Sequence, residues 1–99
     1  MVIERAQIDV KPDEEEAFAA AVRQAREIVA STPGFRSVTL ARGIEQPRRF
    51  LLLVEWETLE AHTVEFRESE RFTRWRELIG PYFASAPDVE HYEPVDLAA

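Results

Sequence analysis

Residues 35–56 read FRSVTLARGIEQPRRFLLLVEW, a pattern typical of a β-hairpin. Two strand-like runs, 35–43 and 49–56, are separated by a short turn that contains Gly, Gln and Pro. So short a connection predicts antiparallel strands. The second run is apolar at every position from Phe50 to Val54, on both strand parities. We therefore expect this strand to be buried on both faces.

The residues before the hairpin predict a strand followed by a helix. Residues 2–10 alternate between apolar and polar side chains, the period of a half-buried strand. Asp13 precedes Glu16 by three positions, a capping-box spacing that predicts a helix start. Apolar side chains then recur every three or four positions over residues 18–29, and residues 31–34 (STPG) predict the end of this helix.

The residues after the hairpin predict a second helical region and a last strand. Thr58 is a candidate N-cap, and residues 59–66 place apolar side chains on one helical face. After a kink near Ser69, residues 72–79 continue the helical pattern, and Gly80-Pro81 ends it. Residues 88–95 (DVEHYEPV) then return as a strand. The predicted element order is βαββαβ.

That order predicts an α+β fold, a single ferredoxin-like domain over residues 1–99. Its antiparallel sheet would carry both helical regions on one face. The other face would expose apolar side chains of the doubly apolar strand unless another sheet covered it. A second copy of the chain is the simplest cover, so we expect a homodimer formed by sheet-to-sheet packing.

Composition excludes several classes of partner and site. The formal net charge of -7 would repel nucleic acid and anionic lipid headgroups, and Glu45 interrupts the only basic concentration, residues 36–49. The absence of cysteine removes disulfides and thiolate metal sites. No apolar run approaches the roughly 20 residues of a membrane span, and residues 1–16 lack the apolar core of a signal peptide. We expect a soluble cytoplasmic protein.

Most familiar catalytic motifs are absent from the sequence. The three glycines form neither a P-loop nor a dinucleotide fingerprint, and no HExxH or GxSxG motif is present. The two histidines, His62 and His91, are far apart in sequence. A two-histidine, one-carboxylate iron site is formally possible, but no spacing selects it. We therefore predict neither a metal nor another cofactor.

His62 is the candidate catalytic residue, because it interrupts an apolar helical stripe in an aromatic-rich region. A neutral imidazole can accept a proton near neutral pH without a large change in pKa. The alternative is a structural histidine at a helix edge. His91 has the strand parity of Val89 and Val95, which favours a structural role on a buried face or at a dimer interface.

Other side chains could bind a flat substrate around His62. The helical spacing of the aromatic residues is compatible with pocket walls and also with a packed core. Arg67 and Arg76 could either orient a ligand or pair with nearby Glu residues on a solvated face. The predicted substrate-binding residues are Trp56, Phe66, Phe72, Trp75, Arg76 and Tyr82.

Four segments together resemble the antibiotic biosynthesis monooxygenase domain of the dimeric α/β-barrel superfamily. They are TPGF (32–35), LLLVEWETLEAH (51–62), F-R-x-S-E-x-F-x-x-W (66–75) and VEHY (89–92). The resemblance implies a homodimer of ferredoxin-like protomers, with a cavity between sheet and helices in each.

The same resemblance implies a cofactor-free oxygenase of electron-rich aromatics such as anthrones or quinols. His62 would be the general base, Trp75 and Phe66 the stacking walls, and Tyr82 an orienting hydroxyl. A non-catalytic binding or scaffold homodimer of the same fold is the alternative. Haem degradation, known in some relatives, is disfavoured because the chain has no asparagine, Phe66 in place of a tryptophan and Arg76 near the expected histidine.

Overall fold

The computed structural model describes residues 1–98, in which four strands form one antiparallel sheet. The spatial order is β2-β3-β1-β4, so the first strand pairs with both the third and the fourth. The predicted ferredoxin-like order is confirmed. The last strand is shorter than predicted, since it ends at Tyr92 and not at Val95. The strands are β1 (Val2–Asp9), β2 (Phe35–Arg42), β3 (Arg49–Trp56) and β4 (Asp88–Tyr92).

All helical segments pack on one face of this sheet. Helix α1 (Glu15–Ala30) packs its apolar stripe against β2 and the second helical region, and its Phe18 lies edge-on to Phe50 of β3 at 4.9 Å between ring centroids. The second helical region is a π-helical segment (Ala61–Phe66) followed by helix α2 (Glu70–Ile79). The predicted cap is present, because the Ala61 N–H donates to the Thr58 hydroxyl at 3.1 Å. No helix within residues 1–98 is long and apolar enough to cross a membrane.

The predicted capping box at the start of α1 is wrong. Asp13 adopts φ 66°, a left-handed conformation that Asp tolerates better than most residues. A turn therefore closes from the Glu14 N–H to the Lys11 carbonyl, and Glu14 becomes the N-cap residue without a side-chain cap. The first helical bond runs from the Phe18 N–H to the Glu14 carbonyl at 2.9 Å.

The two faces of the sheet differ in burial. On β1 and β3, alternate residues starting at Glu4 and Phe50 are buried beneath the helices. Leu51 and Leu53 point to the opposite face and are only half-buried within one chain. The predicted burial of β3 on both faces is therefore not met by the single chain.

A close backbone approach seats the π-helical segment on the start of β2. Gly34 adopts φ +88°, and a Cβ atom added there would lie 2.6 Å from the Cβ of Ala61. Glycine is required both for this conformation and for the contact. The Glu57 N–H also donates to the Gly34 carbonyl at 2.8 Å. These contacts fix the segment that carries His62.

Candidate functional site

A cavity of about 580 Å³ lies between the inner face of the sheet and the second helical region. This volume is within the range of small-molecule sites. Aliphatic side chains of β1, β3 and β4 form its floor, aromatic side chains form one wall, and polar groups are few. The polar and aromatic side chains that line it include Glu4, His62, Phe66, Arg67, Phe72, Trp75 and Arg76.

His62 reaches this cavity from the π-helical segment and packs against two aromatic rings that also contact each other. Its ring stacks on Trp56 and Phe66, with centroid distances of 5.4 and 6.2 Å. Only 2% of the residue is exposed. The Arg67 N–H donates to the His62 carbonyl at 2.9 Å, the bond from five residues ahead that defines a π-helix. The imidazole is therefore fixed in place, with only an edge available to a ligand.

Glu4 is a buried carboxyl group beside this imidazole. Strand pairing places Glu4 opposite Val54 on β3 and opposite His91 on β4. The Trp56 indole N–H donates to Glu4 Oε1 at 3.0 Å, and the same oxygen lies 3.4 Å from His62 Nε2. The two contacts orient the carboxyl group, which also lines the cavity.

The second ring nitrogen of His62 contacts His91. His62 Nδ1 and His91 Nε2 are 2.7 Å apart, so one of them donates a hydrogen bond to the other. Glu4, His62 and His91 thus form a continuous row from the buried floor of the cavity to the exposed end of β4. Such a row can pass a proton in either direction by exchanging tautomers.

Burial changes the pKa values of this row in opposite directions. It raises the pKa of Glu4, an effect that the Trp56 hydrogen bond and the Arg67 charge partly oppose. Burial, assisted by the charges of Arg67 and His91, lowers the pKa of His62 to about 3. The contact between Glu4 and His62 at neutral pH is therefore not a full ion pair. It joins a neutral imidazole to a carboxyl group whose pKa is raised by burial.

Two arginines line the mouth of the cavity. The guanidinium carbons of Arg67 and Arg76 lie 5.6 and 5.7 Å from the centroid of the Phe72 ring. Sequence reasoning favoured pairing with nearby Glu on a solvated face. Within residues 1–98, neither arginine has a carboxylate within 4.0 Å, whereas Arg5, Arg42 and Arg49 each do.

Five of the seven predicted site residues line the cavity, namely His62, Phe66, Phe72, Trp75 and Arg76. The other two do not. Trp56 is fully buried behind Glu4 and His62, where it acts through its indole N–H. Tyr82 packs against Phe18, 6.4 Å between ring centroids.

Sequence reasoning missed Glu4, although a signal for it was present. Glu4 shares the strand parity of Ala6 and Ile8, so alternation places its carboxyl group on the buried face. A carboxyl group on an apolar parity is unusual and marks a candidate site. For His91, parity with Val89 left a buried face and a dimer interface open; the structure leaves His91 exposed and in contact with His62, which parity does not reveal.

The three titratable residues do not form a metal site. No group of three His, Asp or Glu side chains suited to a metal ion occurs in the part of the chain that the structure describes. The geometry gives the reason, since His62 turns Nε2 toward Glu4 and Nδ1 toward His91. One ion cannot bind opposite nitrogens of the same ring.

Comparison with known proteins identifies relatives of this chain. The profile of the antibiotic biosynthesis monooxygenase family matches residues 1–78. Uncharacterized protein YczJ of Bacillus subtilis (strain 168) is 39% identical over 95 residues, which cover 96% of this chain and 100% of YczJ. A crystal structure from Bordetella bronchiseptica that carries the family's name has 44% identity and a TM-score of 0.93, with 95% and 96% of the two chains covered.

A more distant structure shares the fold. The monooxygenase from the gene ActVA-Orf6 of Streptomyces coelicolor, solved with the ligand Nanaomycin D, has a TM-score of 0.83 and 19% identity. The alignment covers 99% of this chain and 90% of that one.

Proposed function

Because the chain belongs to the antibiotic biosynthesis monooxygenase family, we propose that it oxygenates an electron-rich aromatic substrate without metal or flavin. The observation that carries this proposal is the contact between His62 and Glu4 at the wall of an aromatic cavity. The substrate class is an anthrone or a hydroquinone, a flat molecule with an acidic C–H or O–H group. Phe66 and Trp75 would contact its ring faces.

Deprotonation is the step that the protein must promote. Triplet dioxygen reacts slowly with closed-shell molecules, but an electron-rich carbanion or phenolate can transfer one electron to it. In this proposal the substrate loses its proton to the Glu4–His62 pair, in which burial makes the Glu4 carboxyl group more basic by raising its pKa. Because Glu4 Oε1 lies 3.4 Å from His62 Nε2, the proton could pass between the two groups.

The remaining steps balance without an external reductant. The substrate anion passes one electron to dioxygen, and the resulting radical and superoxide combine as a carbon-bound peroxide. Loss of the second C–H proton and cleavage of the O–O bond leave a quinone carbonyl and release water. Exclusion of bulk water by the aromatic wall protects the intermediate from side reactions. His91 would carry the abstracted proton toward solvent through its contact with His62.

Oxygen uptake tests the proposal. We expect chelator-treated protein to consume oxygen with at least one member of a panel of anthrones and hydroquinones. His62→Ala should lower this rate by about 100-fold or more, as for loss of a general base. Thr73→Ala, an exposed change on α2, is the matched control and should keep the rate. Absence of turnover on the whole panel, or a rate unchanged in His62→Ala, would contradict the proposal and favour a binding or scaffold role.

The outer face of the sheet supports the expected homodimer. Leu51 and Leu53 leave apolar surface exposed there, and β1 adds Ile3 to the same face. Arg5, paired with Asp88, lies beside them. A second copy packed sheet to sheet on this face would bury both leucines in the proposed homodimer.

Light scattering at micromolar concentration tests the dimer. We expect twice the chain mass of 11.4 kDa for the wild type. Leu51→Glu should give the single-chain mass, because Leu51 pairs with Gln7 and Ala41, so the new carboxylate would be buried without a basic residue opposite it. Val64→Glu, an exposed change on the helical face, should remain dimeric. A wild-type monomer would contradict the sheet-packing proposal.

A further inference from the structure

We propose that Arg67 and Arg76 form an anion-binding subsite, so that the substrate is an aromatic acid carrying a carboxylate or a similar oxyanion. This inference rests on the proposed function in taking the cavity as the substrate site. Beyond the proposed function, it specifies that the substrate is negatively charged and that this charge binds at the mouth of the cavity.

The first argument is that aromatic rings hold both guanidinium groups while their hydrogen-bond donors remain available. Arg67 and Arg76 contact the Phe72 ring, and Arg76 also lies 6.0 Å from the centroid of the Phe83 ring. A guanidinium that stacks on an aromatic ring keeps its N–H groups in the ring plane free for a planar partner. In residues 1–98 no protein carboxylate occupies that position.

The second argument is the charge balance of the cavity wall. Among residues 1–98, Glu4 is the only acidic residue that lines the cavity, and His62 is neutral at pH 7. Arg67 and Arg76 therefore leave the wall net positive, even with Glu4 ionised. The chain as a whole has a formal charge of -7, so this positive region opposes the average character of the molecule. The positive charge of Arg67 also acts on the pKa of Glu4 and of His62.

The third argument is the arrangement of apolar and charged surface. Trp75 and Phe66 are buried and offer apolar faces inside the cavity, whereas Arg67 and Arg76 are exposed at its mouth. A ligand that satisfies both parts has a flat apolar body and an anionic substituent at one end. Arginine binds carboxylates and other oxyanions through parallel N–H···O bonds, which a neutral amide cannot reproduce.

Equilibrium binding tests this subsite independently of catalysis. The probes are 2-naphthoate, 2-naphthalenesulfonate and the neutral, nearly isosteric 2-naphthamide, titrated by calorimetry into the wild-type protein at low salt. We expect 2-naphthoate to bind at least about fivefold more tightly than 2-naphthamide, the factor that corresponds to about 1 kcal/mol. The advantage should shrink as salt increases. The sulfonate shows whether the geometry favours a planar carboxylate over another oxyanion: tighter naphthoate binding supports the carboxylate, and equal binding supports oxyanions in general.

Variants separate the subsite from overall charge. Arg67→Gln/Arg76→Gln should bind 2-naphthoate and 2-naphthamide equally, with the amide affinity changed less than twofold. Arg74→Gln, which removes one charge from the exposed face of α2 outside the cavity, should keep the preference for the acid. Circular dichroism checks that each variant is folded.

The failures of the two proposals are distinguishable. Equal affinity for acid and amide in the wild type, a preference that survives in the double variant, or no naphthoate binding at millimolar concentration would overturn the anion subsite. None of these results depends on oxygen. A protein that prefers the acid but consumes no oxygen would retain the subsite and contradict only the oxygenase proposal.

Discussion

Glu4→Gln and His62→Gln should each lower the oxygenation rate by about 10²–10⁴-fold, the range for loss of a positioned base. The double variant should be no slower than the slower single variant. Glu4 Oε1 lies 3.4 Å from His62 Nε2, and in the proposed mechanism the two groups accept the same substrate proton. Removing either member therefore removes the same function, and residues that act as a unit show strongly non-additive effects.

The glutamine variants preserve most of the surrounding contacts. In Glu4→Gln the side-chain carbonyl can still accept the Trp56 indole N–H, which now donates to Oε1 at 3.0 Å. Glu57→Gln is the matched control, because Glu57 is exposed and does not line the cavity. Initial oxygen consumption at saturating anthrone measures the rate. Losses that multiply in the double variant, or a Glu4→Gln variant as fast as the wild type, would show that the two residues do not form one basic unit.

Acidification from pH 7 to pH 4.5 should cost the folded protein about 3 kcal/mol through His62 alone. The pKa of this imidazole is about 3 in the folded chain and 6.5 when exposed, so between these values only the unfolded chain binds the proton. Stability from this group is present above pH 6.5 and is lost as pH falls toward the folded pKa, at about 1.4 kcal/mol per unit. The near-complete burial of His62 means that solvent screening does not reduce the effect.

Glu4 changes the pH dependence of stability in the opposite direction to His62. It must therefore be replaced before the contribution of His62 can be measured. Burial raises the pKa of Glu4, so the folded chain binds that proton more strongly and gains stability as pH falls. Urea unfolding should therefore compare Glu4→Gln with Glu4→Gln/His62→Leu at both pH values. Between pH 7 and pH 4.5, the unfolding free energy of Glu4→Gln should fall by about 3 kcal/mol more than that of Glu4→Gln/His62→Leu. An equal loss in both variants would contradict a buried, neutral His62.

The element order followed from local patterns, because periodicity and turn residues depend on neighbours in sequence. Thr58 as a cap and residues 31–34 as the end of the first helix are examples, and both are confirmed, since α1 ends at Ala30 with Ser31 as its C-cap. The start of α1 was predicted wrongly, since a capping-box spacing does not reveal that Asp13 adopts a left-handed conformation.

The site depends on contacts that sequence spacing does not contain. Glu4 meets Trp56 across 52 positions of the chain, and His62 meets His91 across 29. Strand register creates the first contact, and the π-helical turn that places His62 has no recognised signature in the sequence. The free guanidinium groups of Arg67 and Arg76 were likewise hidden, because abundant nearby Glu residues suggested local pairs.

The fate of labelled dioxygen tests the central claim most directly. Chelator-treated protein should convert anthrone to anthraquinone under ¹⁸O₂ with one labelled oxygen atom in the product and the other in water. The rate should be unaffected by added metal or flavin. A product without label, or turnover that appears only after a metal or flavin is supplied, would contradict oxygenation by the Glu4–His62 pair.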